Sequence, residues 1–378
     1  MKPMKEHFRG VSAWRANRAT ARGAAAGAGF DGMYGAGTSA GTRSGVGARS
    51  AGKATLTPKL MLQLMAPHTW SASIVPVLVA VALAVASGGL HGGGFAVGGL
   101  SAASGASLVC VLNARIVCVL LVISVLMQSA VNTLNDYFDY VKGTDTADNQ
   151  ADPTDAVLVY NNIDPAEARD FAIGLLVAAF SLGGYVIFVA GWIPLAIALV
   201  GVAVIYLYSG SKSPISYKPL GELVSGVTMG TLIMLASYQA LTLRFDWLVV
   251  LFSVPVALGI ALIMATNNTC DIAKDIDAHR RTLPVVLGYK RAVGLYHLTV
   301  YAWVAIVCVL VLVYFTNGWP VLLFMLLAVH PIGRQLLANP LRPETRGAAF
   351  AQCTTLNIEL GAFYAAAIIA SPLLYLVW

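Results

Sequence analysis

From residue 69 onward the chain alternates long apolar runs with short polar connections. The runs are continuous rather than alternating residue by residue, which predicts helices. Crossing a hydrocarbon core about 30 Å thick takes ~20 residues of helix. Nine stretches qualify, at about 69–90, 108–134, 168–190, 192–209, 219–241, 246–268, 292–315, 317–333 and 355–377. Backbone polar groups in lipid must be satisfied internally, by helices or by a closed barrel. Barrel strands would show ~10-residue segments of alternating polarity, which are absent. The expected fold is all-α, a polytopic membrane protein with nine transmembrane helices around a central cavity.

Residues 1–58 have another character. They are rich in Gly, Ala, Ser, Thr and Arg, with Glu6 and Asp31 as the acids. Such a segment cannot bury enough apolar surface to order itself, so a disordered basic tail is expected, followed by a membrane domain over 59–378. Its Arg-rich, acid-poor composition also fits an organelle transit peptide. No cleavable secretory signal is evident, because the first apolar stretch begins only near residue 69.

Composition agrees with a lipid solvent. Of 378 residues, 58% are hydrophobic and 11% charged, with mean hydropathy +0.74. Soluble domains carry roughly 25% charged residues. Five scattered cysteines without CxxC spacing exclude a disulfide framework and a zinc site. The six histidines form no ligand pair, and no nucleic-acid partner is expected. Of 24 Lys and Arg residues, Arg115 and Arg244 alone fall on one side of a nine-span arrangement. The rest lie in the N-terminal segment and in loops 2–3, 4–5, 6–7 and 8–9, which the positive-inside rule places in the cytoplasm.

The acids are concentrated on that same side. Nine of 18 lie between Asp136 and Asp170, and Asp271, Asp275 and Asp277 follow span six. In the first group Asn132, Asn135, Asp136 and Asp139 stand at i, i+3, i+4 and i+7, one face of a helix. In the second, Asn268, Asp271 and Asp275 stand at i, i+3 and i+7. Like charges so spaced repel unless a cation lies between them. Carboxylate and amide oxygens suit magnesium, which also keeps water and phosphate oxygens in its shell. Gly143 allows a turn through which Asp145 can reach back, while Arg280 and Arg281 offer planar recognition of phosphate oxygens. Two such faces point to metal–diphosphate chemistry, although a single acidic helix end at a membrane surface is commonly just solvated.

These motifs resemble those of the UbiA-type intramembrane prenyltransferases, which carry N-D-x-x-D and D-x-x-x-D after spans two and six of nine helices. Here they read Asn135-Asp136-Tyr137-Phe138-Asp139 and Asp271-Ile272-Ala273-Lys274-Asp275. The resemblance runs from about residue 60 to the end. Finer detail is similar to the 1,4-dihydroxy-2-naphthoate polyprenyltransferases of menaquinone synthesis: Asp139, Gly143 and Asp145 match its N-D-Y-F-D…G-x-D, and Arg280-Arg281-Thr282-Leu283 follows its K-R-T-L with Arg in place of Lys. Three further places depart. His279 stands where glycine is usual, Ala66-Pro67-His68-Thr69 replaces R-P-[RK]-T, and Asp152-Pro153-Thr154-Asp155-Ala156 lacks the subgroup's basic pair.

The resemblance implies transfer of a polyprenyl group from a polyprenyl diphosphate to an aromatic acceptor, in the lipid bilayer of a bacterial plasma membrane. Dihydroxynaphthoate, losing its carboxylate to give demethylmenaquinone, is the expected acceptor; 4-hydroxybenzoate, homogentisate and haem are alternatives. It implies two magnesium ions, one on Asn135 and Asp139, the other on Asp271 and Asp275. Asp136 and Asp145 would orient these ligands. Asn132, Lys142, Lys212, Asn268, Arg280 and Arg281 would contact the diphosphate, and Tyr217 would orient the acceptor or shield the allylic cation, or else serve as an interfacial aromatic anchor. Glu222 is expected to pair with Lys212 or Lys218, with a catalytic role as the alternative. A cation-coupled transporter is the rival class, but it expects acids at the bilayer midplane rather than at span ends.

Overall fold

Among the described residues, apolar continuity turns into helix in each predicted stretch, and the ends of the helices carry the differences. The computed structural model describes residues 55–87, 105–143 and 156–371, with backbone alone for 105–113. The predicted tail lies outside these residues except at 55–58, where Thr57 already caps the first helix by accepting from Leu60 N. The compact unit runs from Ala54 to Trp378.

The main helices are α1 (Pro58–Met65), α2 (Ser71–Ala86), α3 (Gly105–Val141), α4 (Pro165–Ala190), α5 (Ile193–Gly210) and α6 (Gly221–Thr242). They continue with α7 (Val254–Cys270), α8 (Ile272–Asp277), α9 (Tyr289–Tyr314), α10 (Trp319–Ala338) and α11 (Arg346–Ile369). Among the described residues the fold is all-α, but the nine-span count is not met in full. Six helices are long and apolar enough to cross a membrane: α3 to α6, α9 and α10. A seventh is obtained if α2 forms one span with the segment Pro58–Thr69, from which it bends by 55°. Val254–Cys270 is a shorter apolar helix.

Boundaries shift for local reasons. Helix α3 runs on to Val141, well past 134, because the Asn/Asp face continues the helix after the apolar run ends. Helix α10 passes through Pro331 to Ala338 instead of stopping near 333. Helix α11 starts at Arg346, not 355, since its first turns hold polar residues that hydropathy ignores.

Small residues let the helices approach closely, as membrane interfaces favour. A Cβ added at Gly226 would lie 2.6 Å from the Ala257 carbonyl oxygen, and one at Gly230 2.6 Å from Ala257 Cα. One at Gly361 would lie 2.4 Å from Val75 Cγ1. Because Ala257 offers backbone there, Gly230→Val must push α6 and α7 apart. Overpacking of this kind costs about 1–3 kcal/mol. The variant is expected to unfold in detergent several degrees below wild type, whereas Gly174→Ala, with nothing within 4 Å, should not. Thermal unfolding followed by tryptophan fluorescence checks both.

Candidate active site

Helices α3, α4, α5 and α6 surround a cavity of about 270 Å³, completed by Ser73 and Val77 of α2 and Met264 of α7. Its walls are mostly apolar, including Leu120, Ile123, Val186, Ile187 and Ile233. Polar groups gather towards one end, where Asn132, Asn135 and Tyr208 line it. Leu120 and Asn135 stand fifteen residues apart on α3. At 1.5 Å per residue that is ~22 Å of lining.

The first motif lies wholly on α3, as its spacing predicts. Asn135 Oδ1 accepts from Ser209 Oγ at 2.5 Å. Asp139 Oδ1 accepts from the Arg280 guanidinium at 2.6 Å. Asn132 turns elsewhere: its amide donates to Met65 O at 2.9 Å and Thr69 Oγ1 at 2.8 Å, tying α3 to the turn before α2. Buried Asp136 accepts from Val157 N at 3.2 Å, anchoring the chain where it returns from the 2–3 loop. Lys142 Nζ donates to the Ser209 carbonyl and lies 5.5 Å from the Phe138 ring centre and 5.9 Å from that of Tyr217. Gly143 adopts φ +68, the expected turn. Asp145 lies outside the described residues.

The second motif does not follow a single helical face. Helix α7 ends at Cys270, Asp271 sits at φ −98 and ψ 15, and α8 begins at Ile272. Asp275 is 3% exposed; its Oδ2 accepts from Thr282 Oγ1 at 2.8 Å, and its Oδ1 lies 3.9 Å from Arg280. Asp271 Oδ2 lies 3.2 Å from Arg346 Nε. Arg280 thus stands between the carboxylates of the two motifs, with its guanidinium 5.0 Å from the Tyr217 ring centre. Arg281 donates its backbone N–H to Tyr217 O at 3.0 Å and leaves its side chain exposed. His279 has φ +57, the left-handed conformation for which glycine is the usual choice.

Electrostatics follow from this packing. Burial pushes the Asp275 carboxyl up to about 6, against the opposing influence of Arg280, Thr282 and Lys274; Glu222 adds to the rise. Burial also opposes the charge of Arg280, but Asp139 and Asp275 outweigh it and hold its pKa above the ordinary arginine value. A buried acid whose charge is disfavoured gains from a cation close by.

Several partners escaped the sequence reading. Ser209, Thr282 and Arg346 each touch a motif residue. Thr282 sits in the motif-like Arg-Arg-Thr-Leu run, but Ser209 and Arg346 carry no local signal. Glu222 is corrected: it is 7% exposed and its Oε1 accepts from Asn268 Nδ2 at 2.8 Å, whereas Lys212 and Lys218 are exposed on the 4–5 connection. That bond also places Asn268 against α6.

Among the described residues no three His, Cys, Asp or Glu side chains converge as a ready metal cage. The donor set nevertheless fits magnesium. Asn135, Asp139, Asp271 and Asp275 supply hard oxygens in pairs, and magnesium is usually held by one or two carboxylates with water and phosphate completing its shell. The three carboxylates face Arg280 and Arg346, the charge type a divalent ion would replace.

The UbiA prenyltransferase family matches residues 73–359, about three quarters of the chain. The chain belongs to the UbiA prenyltransferase family. It is therefore an enzyme, a membrane-embedded prenyltransferase. This UbiA member is 31% identical over 237 residues to the 1,4-dihydroxy-2-naphthoate octaprenyltransferase of Bacillus subtilis, covering 63% of this chain and 68% of that one. It is 30% identical over 176 residues to the protein of the same name from Mycobacterium leprae, spanning 47% of this chain and 59% of the relative. The fold is similar to the solved structure of a UbiA homologue from Archaeoglobus fulgidus bound to GPP and Mg2+, with TM-score 0.53, 16% identity, and coverage of 82% and 99%.

Proposed function

We propose that this enzyme transfers a polyprenyl group from a polyprenyl diphosphate to 1,4-dihydroxy-2-naphthoate, with loss of the carboxylate as carbon dioxide and with magnesium as cofactor. The carrying observation is Arg280, held between Asp139 and Asp275 near the polar end of an apolar cavity. The similarity to two naphthoate octaprenyltransferases supports the acceptor.

Each part of the site has a task in that reaction. Asn135 and Asp139 would hold one ion and Asp271 and Asp275 the other. Bound magnesium supplies neutralisation of the charge that develops on the departing diphosphate. Arg280 would hydrogen-bond the diphosphate, its planar fork matching phosphate oxygens. Lys142, fixed beside Tyr217, adds a second positive charge. The apolar walls take the prenyl tail and keep water from the allylic cation. The Tyr217 ring, already facing two cations, is suited to a third. Electron-rich acceptor carbon attacks the allylic carbon as the carbon–oxygen bond to diphosphate breaks. The site and the N-terminus face the cytoplasm of a bacterial plasma membrane in this reading, in line with the skew of basic residues.

Purified enzyme in detergent, given octaprenyl diphosphate and dihydroxynaphthoate, is expected to release diphosphate and form the decarboxylated prenyl product, and to stop with EDTA. Turnover unaffected by EDTA removes the metal assignment. Prenylation of 4-hydroxybenzoate or homogentisate in preference to naphthoate removes the acceptor assignment and leaves the enzyme class intact.

A further inference from the structure

Glu222 stands on the second residue of α6, buried, with its Oε1 occupied by the Asn268 amide at 2.8 Å. Its Oε2 is buried too and has no hydrogen-bond partner. A buried acceptor left unsatisfied is costly, and more so when it belongs to a carboxylate. Two hydroxyls of this region are engaged elsewhere: Tyr208 Oη donates to Met264 Sδ at 3.4 Å, and Ser225 Oγ donates to the Glu222 carbonyl at 3.0 Å. The place of Glu222 is set by its neighbours. Val224 and Ser225, on the same helix, line the cavity, as does Tyr208 across from them. A Cβ built on Gly221 would lie 3.3 Å from Tyr208 Oη and 4.0 Å from Asn268 Nδ2, so this turn of α6 abuts the polar end of the cavity.

The charge partners separate Glu222 from the metal-motif acids. Asp139 and Asp275 face Arg280, and Asp271 faces Arg346, so each has a cation beside it. Glu222 has the neutral amide of Asn268 instead, with one oxygen left over. An acid placed to receive a neutral O–H donor needs this arrangement: one oxygen pinned, the other left without a partner beside the residues that line the cavity. A hydrogen bond to a carboxylate is about twice as strong as one between neutral groups.

We infer that Glu222 Oε2 accepts a hydrogen bond from a ring hydroxyl of the aromatic acceptor, fixing the ring's orientation and enriching it in electron density before attack. The inference rests on the reading of the acceptor as a hydroxylated arene, and it makes Glu222 a specificity residue of the acceptor side, next to the diphosphate side that it touches through Asn268. A site built to bond a hydroxyl rejects analogues that lack it by large factors, because its own polar group is then stranded.

Glu222→Gln tests this at constant shape. The amide oxygen can keep the Asn268 bond, while an NH2 takes the place of Oε2 and donates where the carboxylate accepted. With dihydroxynaphthoate, kcat/KM is expected to fall on the order of 10²-fold, with a far smaller change in the KM for octaprenyl diphosphate. Octaprenyl diphosphate binding, read by thermal shift with magnesium, should likewise change far less than the acceptor KM. Acceptors methylated at one hydroxyl supply the signature. Wild type should prefer the free hydroxyl, whereas Glu222→Gln should lose or invert that preference for one of the two methyl ethers, since its N–H can donate to an ether oxygen. Glu222→Asp, which retains an acceptor on a shorter arm, should lose rate but keep the preference, and it secures the test if the glutamine variant folds poorly. Equal loss of acceptor and diphosphate affinity, or an unchanged hydroxyl-to-ether preference in Glu222→Gln, would overturn the inference. Wild type that ignores naphthoate but prenylates another phenol would remove the acceptor named above, and the same comparison would then be made with that phenol.

Discussion

Asp139→Asn and Asp275→Asn are each expected to lower the single-turnover rate of prenyl transfer by about 10²–10³-fold, the scale on which one preorganised stabiliser of transition-state charge acts. Asparagine keeps the shape and one carbonyl oxygen but removes the negative charge that a magnesium ligand needs. Partial recovery at high magnesium concentration is expected, because the defect is in ion affinity. The two variants should differ in stability. Asp275 already resists ionisation through burial, and an amide can still accept from Thr282, so Asp275→Asn should unfold close to wild type. Asp139→Asn deprives buried Arg280 of its 2.6 Å partner and should unfold at lower temperature. Asp277 is exposed, so Asp277→Asn should retain wild-type rates. Full activity in either motif variant, or inactivity in the control, would contradict the assignment of the carboxylates.

Arg280→Ala should weaken both the stability of the site and its hold on the diphosphate. The guanidinium is 15% exposed, bonds Asp139, approaches Asp275 and lies over Tyr217. Without it the two carboxylates, one of them buried, lose the cation between them, and Thr282 and Lys274 are left to favour the charge of Asp275. Removing one member of a buried pair costs about 3–5 kcal/mol, and the partly open position of Asp139 puts this site at or below the low end. The expected outcome without magnesium is a clear drop in unfolding temperature. Adding magnesium should restore more stability to Arg280→Ala than it adds to wild type, because in the variant the ion replaces a missing positive charge. Transfer should remain impaired by about 10²-fold even with magnesium, since the bidentate contact to the diphosphate is gone. Arg280→Lys keeps the charge but not the fork, so it should recover the stability more fully than the rate. Calorimetry with and without magnesium, combined with the KM for octaprenyl diphosphate, tests this. An unchanged KM in Arg280→Ala would remove Arg280 from the diphosphate site.

Both predictions concern pairs that no local pattern displays. Read linearly, Asn135, Asp139, Asp271 and Asp275 stand out because acids recur at helical spacing beside long apolar runs. That is a local property, set by the 3.6-residue turn, and the first motif lies on α3 as the spacing requires. The second shows where the method stops. Its spacing implies one face, yet the backbone breaks at Asp271, and each acid finds a different arginine. Asn132 shares the first motif's face but is taken up by Met65 and Thr69. Spacing cannot reveal that, because these partners lie more than sixty residues away.

Apolar continuity and composition determine by themselves that this chain is helical and dissolved in lipid, because backbone groups there have no other way to be satisfied. Spacing likewise marks the two acid clusters, and the skew of Lys and Arg supports the proposal that both lie on one side of the membrane. Only the tertiary structure decides which of these groups meet. Arg280 lies 141 residues from Asp139 in sequence, Glu222 lies 46 from Asn268, and Arg346 joins Asp271 from the start of the last helix. Glu222 is the plainest case. In the linear chain it is an acid near two lysines and reads as their partner. In the fold it turns inward, because α6 packs on α7 through Gly226 and Gly230 and carries that turn against Asn268. Helix periodicity assigns a residue to a face, but close packing between helices determines what that face meets.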